Sequence, residues 1–216
     1  MAPKSRLKLV APTSENRAVG LSRRPNSEFR SREHLTPTEV EALIDAAKTN
    51  RYGLRDATMI LVAYRHGFRA AEICYLEWSA IDFDAAIMQV RRLKNGKPST
   101  HPIRGDELRE LRKLRKQQKL QSAFVFVTER GGPFSSESFN WMVKRVGQKA
   151  ELPFPVHAHM LRHSTGYKLA GDGHDTRSIQ DYRGHRDIRH TVRYTELSPK
   201  PFRDFWRDLN SQPTCN

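Results

Sequence analysis

Two cysteines, Cys74 and Cys215, are all that the 216-residue sequence contains, too few for a disulfide framework and without the spacing of a zinc site. No apolar run approaches the length that crosses a bilayer as a helix, which excludes an integral membrane protein of that kind. The N-terminus is equally poor in apolar residues: Lys4, Arg6 and Lys8 precede only Leu9, Val10 and Ala11, so the apolar stretch of a secretory signal is lacking. A reducing cytoplasm is the expected location. No phosphate loop is present, because Gly96-Lys97 runs into Pro98 and has no upstream glycine. Internal repeats are absent. Histidine is plentiful, and His159 and His163 have the i, i+4 spacing that can share a divalent metal. Yet that neighbourhood, with His157 beside it, offers no nearby carboxylate, and Arg162 places a cation in its midst. No metal is expected.

What the chain does have is positive charge. Lys and Arg number 38 against 24 Asp and Glu, a formal charge of +14. The excess is uneven: residues 1–33 carry a net +5, residues 34–85 a net −3, and residues 86–122 a net +8. Such an excess favours a polyanionic partner, a nucleic acid or an anionic surface. The exposed cations of the basic block, Arg91, Arg92, Lys97, Arg112, Arg115 and Lys116, are the candidate DNA contacts.

Hydrophobic spacing sets the expected elements. Residues 1–33, rich in Arg, Ser, Pro and Asn, show no period and are expected as a flexible basic tail. Thr36-Pro37-Thr38-Glu39 is a capping box with proline at the first helical position, and Val40, Leu43, Ile44 and Ala47 follow at helical spacing. Further helices are expected over about 54–66, ended by Gly67, and 70–76. A hairpin is expected with Asn95-Gly96 at its turn, between Ile87–Lys94 and Lys97–Ile103. A basic helix over 105–121, a short strand at 124–127, and helices at about 136–150, 159–171, 176–183 and 188–195 complete the fold. A last helix near 200–209 carries Phe202, Phe205, Trp206 and Leu209 on one side. The fold class is α+β, mostly helical, with a small antiparallel sheet.

The chemistry-bearing residues are scattered but share a purpose. Arg69 follows a helix end with Glu72 three residues on; His159 and Arg162 share a helix face; His185 follows Arg183-Gly184; Tyr194 lies nine residues beyond. Together with a hairpin lysine these groups suit metal-free attack on a phosphodiester. A tyrosine hydroxyl is a weak nucleophile that needs a base or a strong positive field. Arginine forks grip two phosphate oxygens at once and stabilise transition-state charge. Lysine can protonate a leaving 5′ oxygen, and histidines exchange protons near neutrality.

The segments AYRHGFRAAEICYLEW, HAHMLRHSTGY and DYRGHRDIRHTVRYT, in this order, resemble the tyrosine recombinases, also called phage integrases. RRLKNGKPSTHPI, DTRSIQDYRGH and IRHTVRYT are similar to the small fimbrial phase-variation recombinases within that family. The resemblance spans about residues 34–208 and implies catalytic roles for Arg69, Lys94, His159, Arg162, His185 and the nucleophile Tyr194. Lys97 stands in for Lys94 if the hairpin register shifts. Glu72 supports Arg69, and His163 supports the site from behind. The implied reaction nicks DNA through a 3′-phosphotyrosyl bond and rejoins the strand to a partner, inverting or excising a segment, with no cofactor. A relaxing enzyme of the type IB topoisomerase kind, or a non-catalytic DNA-binding regulator, are the rival readings. The implied partners are double-stranded DNA with paired sites and a homo-tetramer on it, with accessory DNA-bending proteins as further candidates and no membrane. The implied location is bacterial, cytoplasmic and nucleoid-associated. By this reading residues 34–198 form the catalytic domain without a separate core-binding domain, and residues 199–216 a C-terminal helix and tail that docks on a neighbour. Arg183 departs from the pattern, standing where an apolar residue is usual.

Overall fold

The computed structural model describes residues 32–93, 96–118 and 122–196. The 1–31 part of the expected tail, Lys94, the helix near 200–209 and Cys215 lie outside them. Helix α1, Pro37–Lys48, begins at the expected capping box: Thr36 Oγ1 accepts from the Glu39 amide at 3.3 Å, and Glu39 Oε2 accepts from the Thr36 amide at 2.7 Å. Its apolar stripe, Val40, Leu43 and Ala47, packs on helix α2, Gly53–Arg65. That second helix is sheathed by neighbours and buries Met59, Ile60, Val62 and Ala63. It stops at Gly67, whose φ of +59° suits glycine, while the Gly67 and Phe68 amides turn back onto the Tyr64 and Ala63 carbonyls.

Helix α3, Ala70–Cys74, leads into a short 3-10 turn and a three-stranded antiparallel sheet, β1 (Ile81–Asp82), β2 (Ile87–Val90) and β3 (Ser99–Pro102). Met88 pairs with His101 and Val90 with Ser99, where the described ladder ends, so the expected antiparallel pair is formed over a shorter stretch than Ile87–Lys94 and Lys97–Ile103. Asn95 of the expected Asn95-Gly96 turn lies outside the described residues. The Leu93 amide and the Arg92 guanidinium are both drawn to Glu72, which pulls the chain off the sheet after Val90. Helix α4, Gly105–Gln117, covers the core with Leu111 and Leu114 and points Arg112, Arg115 and Lys116 outward.

The expected strand at 124–127 is not formed. Phe124 and Val127 make only isolated bridges, to Glu77 and Pro133, while Val125 and Phe126 are fully buried. Helices α5 (Ser136–Lys149), α6 (Ala158–Asp172), α7 (Thr176–Arg183) and α8 (Arg189–Glu196) close the structure. Helix α6 is the axis on which the rest converges: it packs on α1, α2, α5, α7 and α8. Among the described residues no helix is long and apolar enough to cross a membrane.

Candidate active site

The site is organised by one buried carboxylate. Arg69 is the N-cap of α3, and Glu72, three residues on, reaches back to it: the Arg69 amide donates to Oε2 at 2.9 Å and Arg69 Nη1 to Oε1 at 2.5 Å. The Leu93 amide donates to Oε1 at 3.0 Å, Arg92 Nη1 to Oε2 at 3.1 Å, and Arg162 Nη1 stands 3.7 Å from Oε2. Burial alone would raise the Glu72 carboxyl, but the Arg69 amide and the Arg92 and Arg162 guanidiniums outweigh it and hold the group below the usual carboxylate range. Glu72 is therefore an ionised anchor for three guanidiniums.

Arg162 comes from α6 and is nearly sealed from solvent. Its Nη1 donates to the carbonyl of Gly67 and its Nη2 to the carbonyl of Arg183 at 3.1 Å. Both carbonyls lie at helix C-termini, where oxygens lack intrahelical partners and the helix dipole favours a cation. The endings of α2 and α7 thus fix the Arg162 fork. Arg92 uses the same resource, donating to the carbonyls of Gly67 (3.2 Å), His66 (2.8 Å) and Tyr182 (2.8 Å). The sequence expectation that Arg92 contacts DNA is corrected: its side chain is fully buried. Strand parity carried the signal, since Met88 and Val90 face inward and residue 92 follows them at the same period.

The opposite wall is the face of α6 that carries His159 and His163, whose rings meet edge to face at 4.6 Å. His163 Nδ1 lies 3.0 Å from Tyr194 Oη, and Arg193 Nη2 donates to the same oxygen at 3.3 Å besides touching the His163 ring. Glu33 pairs with Arg193 at 3.8 Å. Sequence reasoning gave no role to Arg193, although it stands in the IRHTVRYT segment, nor to Glu33, for which no motif stands. Tyr194 is 2% exposed and packs in a small cluster with Ala170 and Ile179. His185 follows Gly184, whose φ of +63° ends α7, and shares a hydrogen bond with Thr191 Oγ1 at 2.9 Å. A side chain on Gly184 would stand 2.6 Å from the Lys97 carbonyl oxygen and from the Arg92 side chain, so these two residues lie directly on this corner. Lys97 itself is exposed, as are Arg91, Arg112, Arg115 and Lys116.

Burial first, then the surrounding arginines, keeps the site histidines neutral. His159 falls to about 4 under burial and then the charges of Arg162 and Arg183, while it keeps a solvent-open edge. His163 falls to about 2 under burial, His159 and Arg193, and His185 to about 2 under burial, Arg183 and Arg162. Outside the site, His101 falls to about 3. Around this site Arg69, Arg92, Arg162, Arg183 and Arg193 outnumber the carboxylates of Glu72 and Glu33. Such an excess of positive charge favours an anionic ligand.

These four strongly depressed histidines set a pH dependence for folding. An unfolded histidine binds its proton near 6.5, whereas these stay unprotonated in the fold until far lower, so the unfolded state binds more protons below that point. Stability is fully present above about pH 7 and is lost as pH falls. Each buried neutral histidine contributes up to ~1.4 kcal/mol per pH unit, His159 less because of its exposed edge. The lowered Glu72 and Asp106 carboxyls add in the same direction under more acid conditions. Urea midpoints measured without DNA should fall steadily from pH 7 to pH 5, and a flat profile would contradict the neutral cluster.

Comparison with known proteins adds an independent line. The phage integrase family profile matches residues 33–200. The type 1 fimbriae regulatory protein FimB of Escherichia coli (strain K12) is 40% identical over 181 residues, 82% of this chain and 90% of that protein. The tyrosine recombinase XerD of Ralstonia nicotianae is 32% identical over 185 residues, 82% of this chain and 59% of XerD. The crystal structure of XerA recombinase superposes with a TM-score of 0.68 at 27% identity, covering 80% of this chain and 63% of that one. The chain thus spans less than two thirds of the length of XerD and XerA, and nine tenths of FimB.

Proposed function

The chain belongs to the phage integrase family, and from that premise we propose how this site-specific DNA recombinase breaks and rejoins a strand: Tyr194 attacks, and Arg69, Arg162, His159 and His185 hold the phosphate. Tyr194 Oη forms a bond to phosphorus, the bond from phosphorus to the 5′ oxygen breaks, and a 3′-phosphotyrosyl linkage remains. His163 Nδ1, at 3.0 Å, is the acceptor in reach of the phenol proton. Burial first, and then the charges of Arg193, Arg183 and Arg162, hold its basicity down, and a phosphate among these arginines would offset the charge part of that suppression. Lys94 is assigned the proton donor to the departing 5′ oxygen. A 5′ hydroxyl from the partner strand then reverses the step. One ester bond replaces another throughout, so the exchange needs no outside energy source.

The observation that supports this reading most is the Glu72 cluster, which presents Arg69 and Arg162 from one anchor beside the helix face that meets Tyr194 Oη. Preorganised donors of this kind cost no reorganisation at the moment of reaction. DNA is the substrate, and the product is an inverted or excised segment. Residues 34–198 are assigned to catalysis, and Arg91, Lys97, Arg112, Arg115 and Lys116 to the DNA backbone. Exchange between paired sites cuts four strands and calls for a tetramer of this chain, with accessory DNA-bending proteins and a cytoplasmic, nucleoid-associated setting.

The test is covalent capture. Incubating the protein with a randomised pool of nicked duplexes, recovering detergent-resistant adducts and sequencing the DNA yields the preferred site. Peptide mapping should place the adduct on Tyr194, with a free 5′ hydroxyl on the released end. Absence of adducts across the pool would leave only DNA binding. Relaxation of plasmids that lack the captured site would instead indicate nicking and resealing without exchange.

A further inference from the structure

Arg183 is the last residue of α7, and it is buried, at 1% exposure. Its guanidinium carbon stands 4.5 Å from the centroid of the Tyr194 ring. The third member of this stack is Gly166 of α6. A methyl group there would come within 2.2 Å of Arg183 Nη1 and 3.0 Å of two ring carbons of Tyr194, so only glycine lets cation and ring lie against the helix. Tyr167 closes the assembly edge-on, 5.0 Å from the Tyr194 ring.

Among the described residues, Nε and Nη1 of Arg183 have no hydrogen-bond acceptor. The charged neighbours that bear on it most, Arg92, Arg193 and Arg69, are cations as well, and Tyr194 is the group that favours its charge. A buried cation with idle donors among like charges is costly in the resting fold. That cost falls when negative charge forms beside it, and an interaction stronger in the transition state than in the ground state accelerates the step.

We propose that Arg183 is a positioning residue that acts through the Tyr194 ring, holding it against α6 and stabilising the negative charge that Tyr194 Oη carries as its bond to phosphorus forms and breaks. In cleavage the phenol proton departs as the bond from Oη to phosphorus forms. In religation the incoming 5′ oxygen bonds to phosphorus, the bond to Oη breaks, and the electron pair leaves on Tyr194 as a phenolate facing Arg183. This rests on Tyr194 being the nucleophile. The other polar or charged groups around that phenol are His163 and Tyr167 from α6, Arg193 from its own helix, and Glu33 through Arg193.

The test compares Arg183→Leu, Arg183→Lys and Tyr194→Phe on the duplex captured by the wild-type protein. Arg183→Leu should keep or raise the melting temperature and keep the duplex Kd. Its adduct formation at pH 7 should be about ten- to thirtyfold slower, the range a desolvated cation over an aromatic face supports. The deficit should narrow as pH rises, because hydroxide then does part of the cation's work, and religation from preformed adduct should slow in parallel. Arg183→Lys, which keeps the charge, should recover part of the rate. A wild-type rate and pH profile in Arg183→Leu would overturn the proposal, as would an equal loss at every pH with a lowered melting temperature. If that variant does not fold, Arg183→Met, neutral and of similar length, takes its place; failure of both makes Arg183 purely structural and also overturns it. Adducts formed by Tyr194→Phe would sink the nucleophile assignment itself. An inert Tyr194→Phe beside a fully active Arg183→Leu sinks the role of Arg183 alone.

Discussion

Tyr194→Phe protein binds its duplex with wild-type affinity and forms no covalent adduct with it. The substitution deletes one oxygen and leaves the ring, so the stack on Arg183 and the edge contact with Tyr167 persist. The lost hydrogen bonds to His163 and Arg193 cost on the order of 1 kcal/mol, which a domain of this size tolerates. Tyr182 does not stand in for the missing nucleophile. Tyr182, the other tyrosine next to His185 in sequence, is committed elsewhere: its hydroxyl donates to the Arg65 carbonyl at 3.0 Å and its ring stacks on His101 at 3.8 Å. Burial also pushes its phenol up to about 12, far from an attacking state. The measurement is gel mobility for binding and detergent-resistant adducts for chemistry, on the same captured duplex. An adduct in Tyr194→Phe would move the nucleophile to another residue.

What the sequence made legible follows from where each signal acts. Arg69 and Glu72 are joined by a capping geometry three residues long, and His159, Arg162 and His163 share a face because α6 repeats every 3.6 residues. Local rules reach such groups. They fail where a tertiary demand outbids them. Asn95-Gly96 is a sound turn signal, yet the ladder ends earlier because Glu72, twenty residues upstream, claims Arg92 and Leu93. Phe124–Val127 has strand composition, but Val125 and Phe126 are buried without a neighbouring strand to complete a ladder. Arg92 and Arg183 defeat the rule that arginines face water, one because two helix ends and a carboxylate satisfy it, the other because it lies on Tyr194. Positions 94 and 197–216 lie outside the described residues, so the lysine rests on sequence resemblance and the C-terminal helix on its hydrophobic spacing.

Glu72→Gln should be the most damaging single change in the fold and in the reaction together. Glutamine keeps the shape, but its amide nitrogen cannot accept from an arginine, and the negative charge is gone. Arg92, with its side chain fully buried, and Arg162, 2% exposed, would then lack their nearest counter-charge. Breaking a buried pair by removing one partner costs about 3–5 kcal/mol, a large fraction of a typical domain's stability. Urea unfolding should show that loss, and adduct formation should fall by about 10²–10³, because Arg69 and Arg162 lose the anchor that preorganises them. The two effects can be separated. Adding Arg92→Met to Glu72→Gln removes one stranded cation, and the pair should regain at least ~1.5 kcal/mol of coupling in a double-mutant cycle. Cleavage should not return with it, since Arg69 and Arg162 remain unanchored whatever occupies position 92. A stability loss below about 1 kcal/mol in Glu72→Gln would mean that the helix-end carbonyls alone hold the arginines. Recovery of cleavage in the double variant would mean that Arg92, and not the aim of Arg69 and Arg162, is what Glu72 protects.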